Sequence, residues 1–264
     1  MPGGLPIGLD LCNGQSLTAG NISFTASVGS KSAYTQIIAS TAADTCWMCV
    51  AFITNVAASQ AIDIAVGAAG SELVIVPNLM LQGYTPSGTT IKIGSAFYSF
   101  PLSIPQGTRI AVRSQASAAG STFVNMWTFD AGFTQIEGIA GFDAIGWTSG
   151  TTLGTTLTQG SPAGTKGSYA QLIASTARDY IGLFGYVDSQ NSTANANYSN
   201  TDIAVGASGS EQIIVPNWGT WLTQAQEGET PFFPIAIPAA TRLSARSSGG
   251  ASTTLGLTVY GAYQ

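Results

Sequence analysis

Three long blocks of this chain occur twice, in the same order. Gly29–Asp44 (GSKSAYTQIIASTAAD) returns as Gly164–Asp179 (GTKGSYAQLIASTARD). Asp63–Asn78 (DIAVGAAGSELVIVPN) returns as Asp202–Asn217 (DIAVGASGSEQIIVPN), and Phe100–Ser114 (FPLSIPQGTRIAVRS) returns as Phe233–Ser247 (FPIAIPAATRLSARS). A collinear duplication of this size means two copies of one domain. A solenoid needs shorter repeats and at least three of them. The 264 residues are enough for two cores. We place the first domain at residues 1–138 and the second at 139–264. The spacing between copies drifts from block to block, so short insertions are expected in loops.

The fold class follows from what the chain lacks. Charged residues are 8% and hydrophobic residues 45%. Exposed helices draw on Lys, Glu and Arg, which are scarce here. Short strands joined by Gly-rich turns are within reach of this composition, which includes 32 glycines. Strands are predicted at 34–40, 48–54, 62–67, 72–77, 97–101, 108–114 and 123–129, with 68–71 as a hairpin turn. Along Thr108–Ser114, Arg109 and Arg113 share one face, and Ile110 and Val112 the other. The prolines Pro77, Pro101 and Pro105, with Pro216, Pro234 and Pro238, are expected at strand ends, where a missing N–H is tolerated. The expected fold is all-β: two tandem, homologous β-sandwich, jelly-roll-like domains.

Several functions are excluded or disfavoured by residue type. With no histidine in the chain, Ser-His-Asp and Cys-His catalysis are ruled out and most zinc sites with them. Net charge is −5 with 8 Lys plus Arg and no basic run, which disfavours nucleic acid. Residues 1–20 show no secretory leader, and no apolar run is long enough to span a membrane. Cys46-Trp-Met-Cys49 has redox or metal spacing, but Ile181 and Phe184 stand at the aligned positions, so the pair is read as packing; Cys12 is uninformative. No catalytic residue, cofactor or metal is expected.

The charges that remain are mostly repeated. Lys31/Lys166, Arg109/Arg242 and Arg113/Arg246 are six of the 8 basic residues. Asp10/Asp143, Asp44/Asp179, Asp63/Asp202 and Glu72/Glu211 are eight of the 13 acidic ones. One reading is functional: paired carboxylates of a glycoside hydrolase, or oxygen ligands for a cation. The other is structural: ion pairs and turn hydrogen bonds inside each domain, with two arginines on one strand face needing carboxylate partners. Duplicated charges suit a duplicated fold better than a duplicated active site. A polar insertion at 188–200, with Asn191 and Asn197, and the pair Trp218 and Trp221 are candidates for a recognition loop, with core packing the alternative for the tryptophans.

The blocks at Asp63–Asn78 and Phe100–Ser114, with their second copies, resemble a domain of virion surface proteins of tailed bacteriophages. That resemblance implies a non-enzymatic structural protein that decorates or stabilises a capsid or forms part of a fibre. It also implies synthesis in the host bacterial cytoplasm and a place in the virion, with other virion proteins as partners. A homo-oligomer, a trimer by the resemblance, is expected also because low charge leaves little repulsion between copies. The alternatives are a carbohydrate- or receptor-binding module for a host surface glycan, and a glycoside hydrolase.

Overall fold

The computed structural model describes residues 9–12, 22–54, 59–81, 85–87, 90–92, 94–116, 118–130, 138–148, 154–188, 198–221, 232–249 and 254–264. Among these residues there is no helix, and the chain is all-β. It divides into two compact units, one built on Met1–Phe142 and the other on Asp143–Gln226 and Thr230–Tyr263.

The strands of the first unit are β1 (Leu9–Cys12), β2 (Ile22–Val28), β3 (Thr35–Ile38), β4 (Thr45–Thr54), β5 (Gln60–Val66) and β6 (Leu73–Leu81). A short hairpin, β7 (Thr85–Ser87) and β8 (Thr90–Lys92), precedes β9 (Gly94–Phe100), β10 (Ile110–Ala116) and β11 (Gly120–Asp130). Their order is β6-β5-β10-β2-β11-β4-β9, with β1 on β11 and β3 on β10. β2 joins the two halves: Ile22–Ala26 pair antiparallel with β11, and Ser27 and Val28 pair parallel with β10. The path curls, because the Tyr98 hydroxyl on β9, at one end, donates to the Met80 carbonyl on β6, at the other.

The second unit has β12 (Gly141–Ile145), β13 (Thr155–Thr158), β14 (Ala170–Ile173), β15 (Gly182–Asp188), β16 (Tyr198–Val205), β17 (Gln212–Trp221), β18 (Phe232–Phe233), β19 (Leu243–Gly249) and β20 (Thr254–Tyr263). They form two sheets, β14-β19-β16-β17 and β12-β20-β15-β18, the latter with β13 on β20. One core draws on both: Leu157, Leu183, Leu257 and Val259 meet Ile203, Val215, Leu243 and Ala245. Removing each large side chain from water stabilises the sandwich by about 1.5–3 kcal/mol.

The two units repeat their irregularities as well as their strands. β5 and β6 slip register between Ile62, opposite Leu79, and Ile64, opposite Val76. β16 and β17 slip at the matching place, with Thr201 opposite Trp218 and Ile203 opposite Val215. Pro77 and Asn78 therefore face the single residue Asp63, and Pro216 and Asn217 face Asp202, which is a β-bulge. Asn78 and Asn217 take positive φ, 51° and 50°, a region asparagine tolerates better than most residues. Pro77 and Pro216, expected at strand ends, lie inside β6 and β17. Both are edge strands, where the bulge absorbs the missing N–H.

This backbone geometry predicts how position 78 responds to substitution. Asn78→Gly should hold stability within about 0.5 kcal/mol of wild type in urea unfolding, and Asn78→Val should lower it by about 1–2 kcal/mol. Equal stability of the two variants would contradict a left-handed residue at the bulge.

Candidate functional site

Each bulge sits over a buried carboxylate. Asp63, 3% exposed, projects from β5 directly opposite Arg113 of β10. Its Oδ1 accepts from Lys31 Nζ at 2.7 Å and from the Asn78 backbone N–H at 2.8 Å, and its Oδ2 accepts from Arg113 Nε at 2.8 Å. In the second unit Asp202 Oδ1 accepts from Lys166 Nζ at 2.8 Å and the Asn217 N–H at 2.9 Å, and Oδ2 from Arg246 Nε at 2.9 Å. Lys31 also donates to the Ala61 carbonyl, and Lys166 to that of Asn200. The guanidinium carbons of Arg113 and Arg246 lie 4.5 Å and 4.6 Å from the ring centres of Tyr34 and Tyr169. Sequence reasoning passed over Asn78, Tyr34 and their copies, although they lie inside the repeated blocks.

A second set closes the β5–β6 and β16–β17 turns. Arg109 Nη1 donates to the Gly67 carbonyl at 3.1 Å and to Glu72 Oε1 at 3.0 Å, while its Nε reaches Gln36 at 3.0 Å. Arg242 makes the same three bonds to Gly206, Glu211 and Gln171. Glu72 Oε2 accepts the Gly70 N–H, and Glu211 Oε2 the Gly209 N–H, each at 2.9 Å. A third set fixes a loop: Asp44 accepts the Gln106 N–H at 2.7 Å, and Asp179 the Ala239 N–H at 2.6 Å.

Where the copies diverge, the partners change. Asp143 pairs with Arg178 at 3.0 Å and accepts from the Tyr180 hydroxyl at 2.9 Å. Burial, reinforced by Asp143, raises the Tyr180 phenol above its ordinary value, so it stays protonated. The side chain of Asp10 lies outside the described residues. Trp218 is buried, with its ring 6.0 Å from that of Phe233 and against Gly185. Its counterpart by register is the core residue Leu79. Trp221 is in β17 opposite Tyr198, with its side chain outside the described residues, as are Asn191 and Asn197. Cys46 is the extra residue where β4 and β11 slip register, and Cys49 Sγ is 3.5 Å from Ser99 Oγ.

The electrostatics run against acid catalysis by these groups. For Asp202, desolvation pushes the pKa up, but the bonds from Lys166, the Asn217 N–H and Arg246 together hold it below the ordinary carboxylate range. Glu72 and Glu211 are also held low, first by their own backbone N–H groups, which outweigh the desolvation, with Arg109 and Arg242 adding to the effect. A glycosidase general acid needs the opposite shift. Three donors also fill most of the roughly four lone-pair sites of Asp63 and Asp202. Among the described residues no group of three His, Cys, Asp or Glu side chains is placed to hold a metal ion.

No protein-family model matches the chain, and no curated protein matches it. Among solved structures it is similar to a chain from the atomic structure of Sulfolobus Turreted Icosahedral Virus, at 11% identity and a TM-score of 0.41, over 97% of this chain and 90% of that one. A likeness of that size carries nothing about the function of this chain, which rests on its own residues.

Two outcomes are expected from these contacts. Asp63→Asn and Asp202→Asn should each lower stability in urea by about 2–3 kcal/mol. That is less than the 3–5 kcal/mol of a fully buried pair, because both cations keep part of their side chains in water. A loss below about 0.5 kcal/mol would contradict the buried network. The second outcome concerns acid. A carboxyl whose folded pKa is depressed contributes stability that is complete above its unfolded value, about 3.9–4.3, and is lost as pH falls through the folded value. Stability should therefore hold down to about pH 5 and fall below it, and Asp202→Asn should flatten that fall; an unchanged acid slope in the variant would count against the Asp202 contacts.

Proposed function

We propose that the chain is a non-enzymatic structural protein of a virion, of the kind tailed bacteriophages use to decorate or stabilise a capsid or to build a fibre. The observation that carries this reading is the use of the repeated charges. Lys31, Asp63, Glu72, Arg109 and Arg113, with their copies, bond to one another and to the turns of their own unit. A duplicated active site would keep a reactive group poised toward a substrate in at least one copy. The Asp63–Asn78 and Phe100–Ser114 blocks, through which the chain resembles phage virion domains, are the segments that build this framework. Its partners on this reading are other virion proteins and further copies of itself, a trimer by the resemblance. It is made in the host bacterial cytoplasm and works in the particle.

A second reading, a receptor- or glycan-binding module, has one observation in its favour. On the outer side of β4, β9 and β11, Phe97 is 50% exposed and its ring lies 6.4 Å from that of Trp127. An exposed ring next to a half-buried one and to polar groups, here Ser99 and Asn125, suits the apolar face of a sugar.

Mass spectrometry of purified particles, with electron-microscopic localisation of the chain, tests the first reading. The chain should be found in stoichiometric amount on the particle, and its absence there would overturn the proposal. A glycan array separates the second: binding lost in Phe97→Ala would favour it. Hydrolysis of sugars that disappears in both Asp63→Asn and Asp202→Asn, with the fold retained, would overturn the non-enzymatic reading altogether.

A further inference from the structure

The duplicated framework carries one more cation than the buried carboxylate needs. Lys31 Nζ, 2.7 Å from Asp63, already supplies a full counter-charge, yet each unit sets an arginine on the same carboxylate. The two arginines of a unit are used differently. Arg109 engages Nε and Nη1 in three bonds and keeps 16% of its side chain exposed. Arg113 engages only Nε and keeps 31% exposed. The second unit repeats the contrast, with 17% for Arg242 and 30% for Arg246. Among the described residues nothing accepts a hydrogen bond from the Nη groups of Arg113 or Arg246.

These two forks are also held still. In each unit the Nε–carboxylate bond fixes one edge of the guanidinium, and the tyrosine ring, 4.5 Å or 4.6 Å away, supports its plane. A guanidinium ordered before its ligand arrives loses less side-chain freedom on binding, and its Nη edge matches a carboxylate. Lys31, Arg113 and Asp63 leave one positive charge over in a chain whose net charge is −5. A polyanion such as nucleic acid brings a dense row of negative charge against that surface, far more than a copy of this charge-poor chain does. A single carboxylate meets only the local fork.

We propose that Arg113 and Arg246 are a matched pair of carboxylate-docking points, and that the carboxylates they take belong to acidic side chains of a second copy of this chain. The charge balance points to that occupant. The chain has 13 acidic residues to 8 basic, so its own surplus is carboxylate. The proposal rests on the reading that the protein works in an assembly, and it names a contact that would hold copies together.

The test is self-association of the full chain, followed by sedimentation over a range of concentration at low and high salt. Two double variants are compared with wild type. Arg113→Lys with Arg246→Lys keeps a positive charge near each aspartate and removes the planar fork. Tyr34→Leu with Tyr169→Leu leaves the arginine–aspartate pairs in place and removes the support beneath them. Thermal unfolding checks that each remains folded. Wild type should associate, and more weakly at high salt. Both double variants should raise the dissociation constant about tenfold or more, a loss of about 1.4 kcal/mol or more. Association that survives both sets of changes in folded protein would overturn this proposal alone. A wild-type chain that stays monomeric at every concentration would overturn it together with the assembly reading.

Discussion

A carboxylate taken out of water is costly unless charge and hydrogen bonds replace the water it leaves. Asp63 and Asp202 meet that requirement with the same three donors, one of them a backbone N–H that the ladder does not use. Much of the local structure follows from this. The bulge at Pro77-Asn78 exists where it does because the Asn78 N–H has a carboxylate to reach. Arg113 has to lie opposite Asp63, which fixes the register of β10 on β5: a slip of one residue would turn Asp63 into the apolar interior. Lys31 brings in the segment before β3. One side chain thus ties together β5, β6, β10 and a loop, and the arrangement is made once in each unit.

Much of this was legible in the sequence, because duplication acts as its own control. Two copies that agree on Lys, Asp, Glu and Arg in an otherwise charge-poor chain mark positions under a shared physical demand. The all-β class followed from the scarcity of helix-forming charged residues, and the β5–β6 hairpin from strands read at 62–67 and 72–77 around a turn of small residues at 68–71. The strand edges were less visible. A strand ending at 77 was the natural reading of a proline, and the structure carries β6 on to Leu81 because an edge strand can bulge. β2 went unseen: ISFTASV alternates, but with small polar residues that periodicity weighs lightly. Trp218 could be read as a loop aromatic or as core, because it follows Pro-Asn; that pair bulges inside the strand and sends the next residue inward, so the core reading holds for it.

The differences between the copies bear on function as much as the likenesses. The charged framework on the β5–β10 side is kept almost atom for atom. On the side of β4 and β11, and of β15 and β20, the copies part: Trp47, Cys49 and Trp127 stand where the second unit has Gly182, Phe184 and Tyr260 by register. A shared framework with one diverged face is what two copies would show if stability were a common requirement and each unit met different surroundings. Repeated groups support the fold, Arg113 and Arg246 with donors left over for a second copy, and groups found in only one unit are where contacts with other partners are to be sought.

If the repeated charges are internal supports, the carboxylate of each unit holds the amide of its bulge. Native-state hydrogen exchange at the Asn78 and Asn217 amides reads this out, since each lies on an edge strand yet is bonded to a carboxylate of its own unit. Both amides should exchange slowly, about as slowly as the neighbouring ladder, with a marked acceleration at Asn78 in Asp63→Asn and at Asn217 in Asp202→Asn. Fast exchange at both amides in the wild-type chain, as for an open loop, would contradict it.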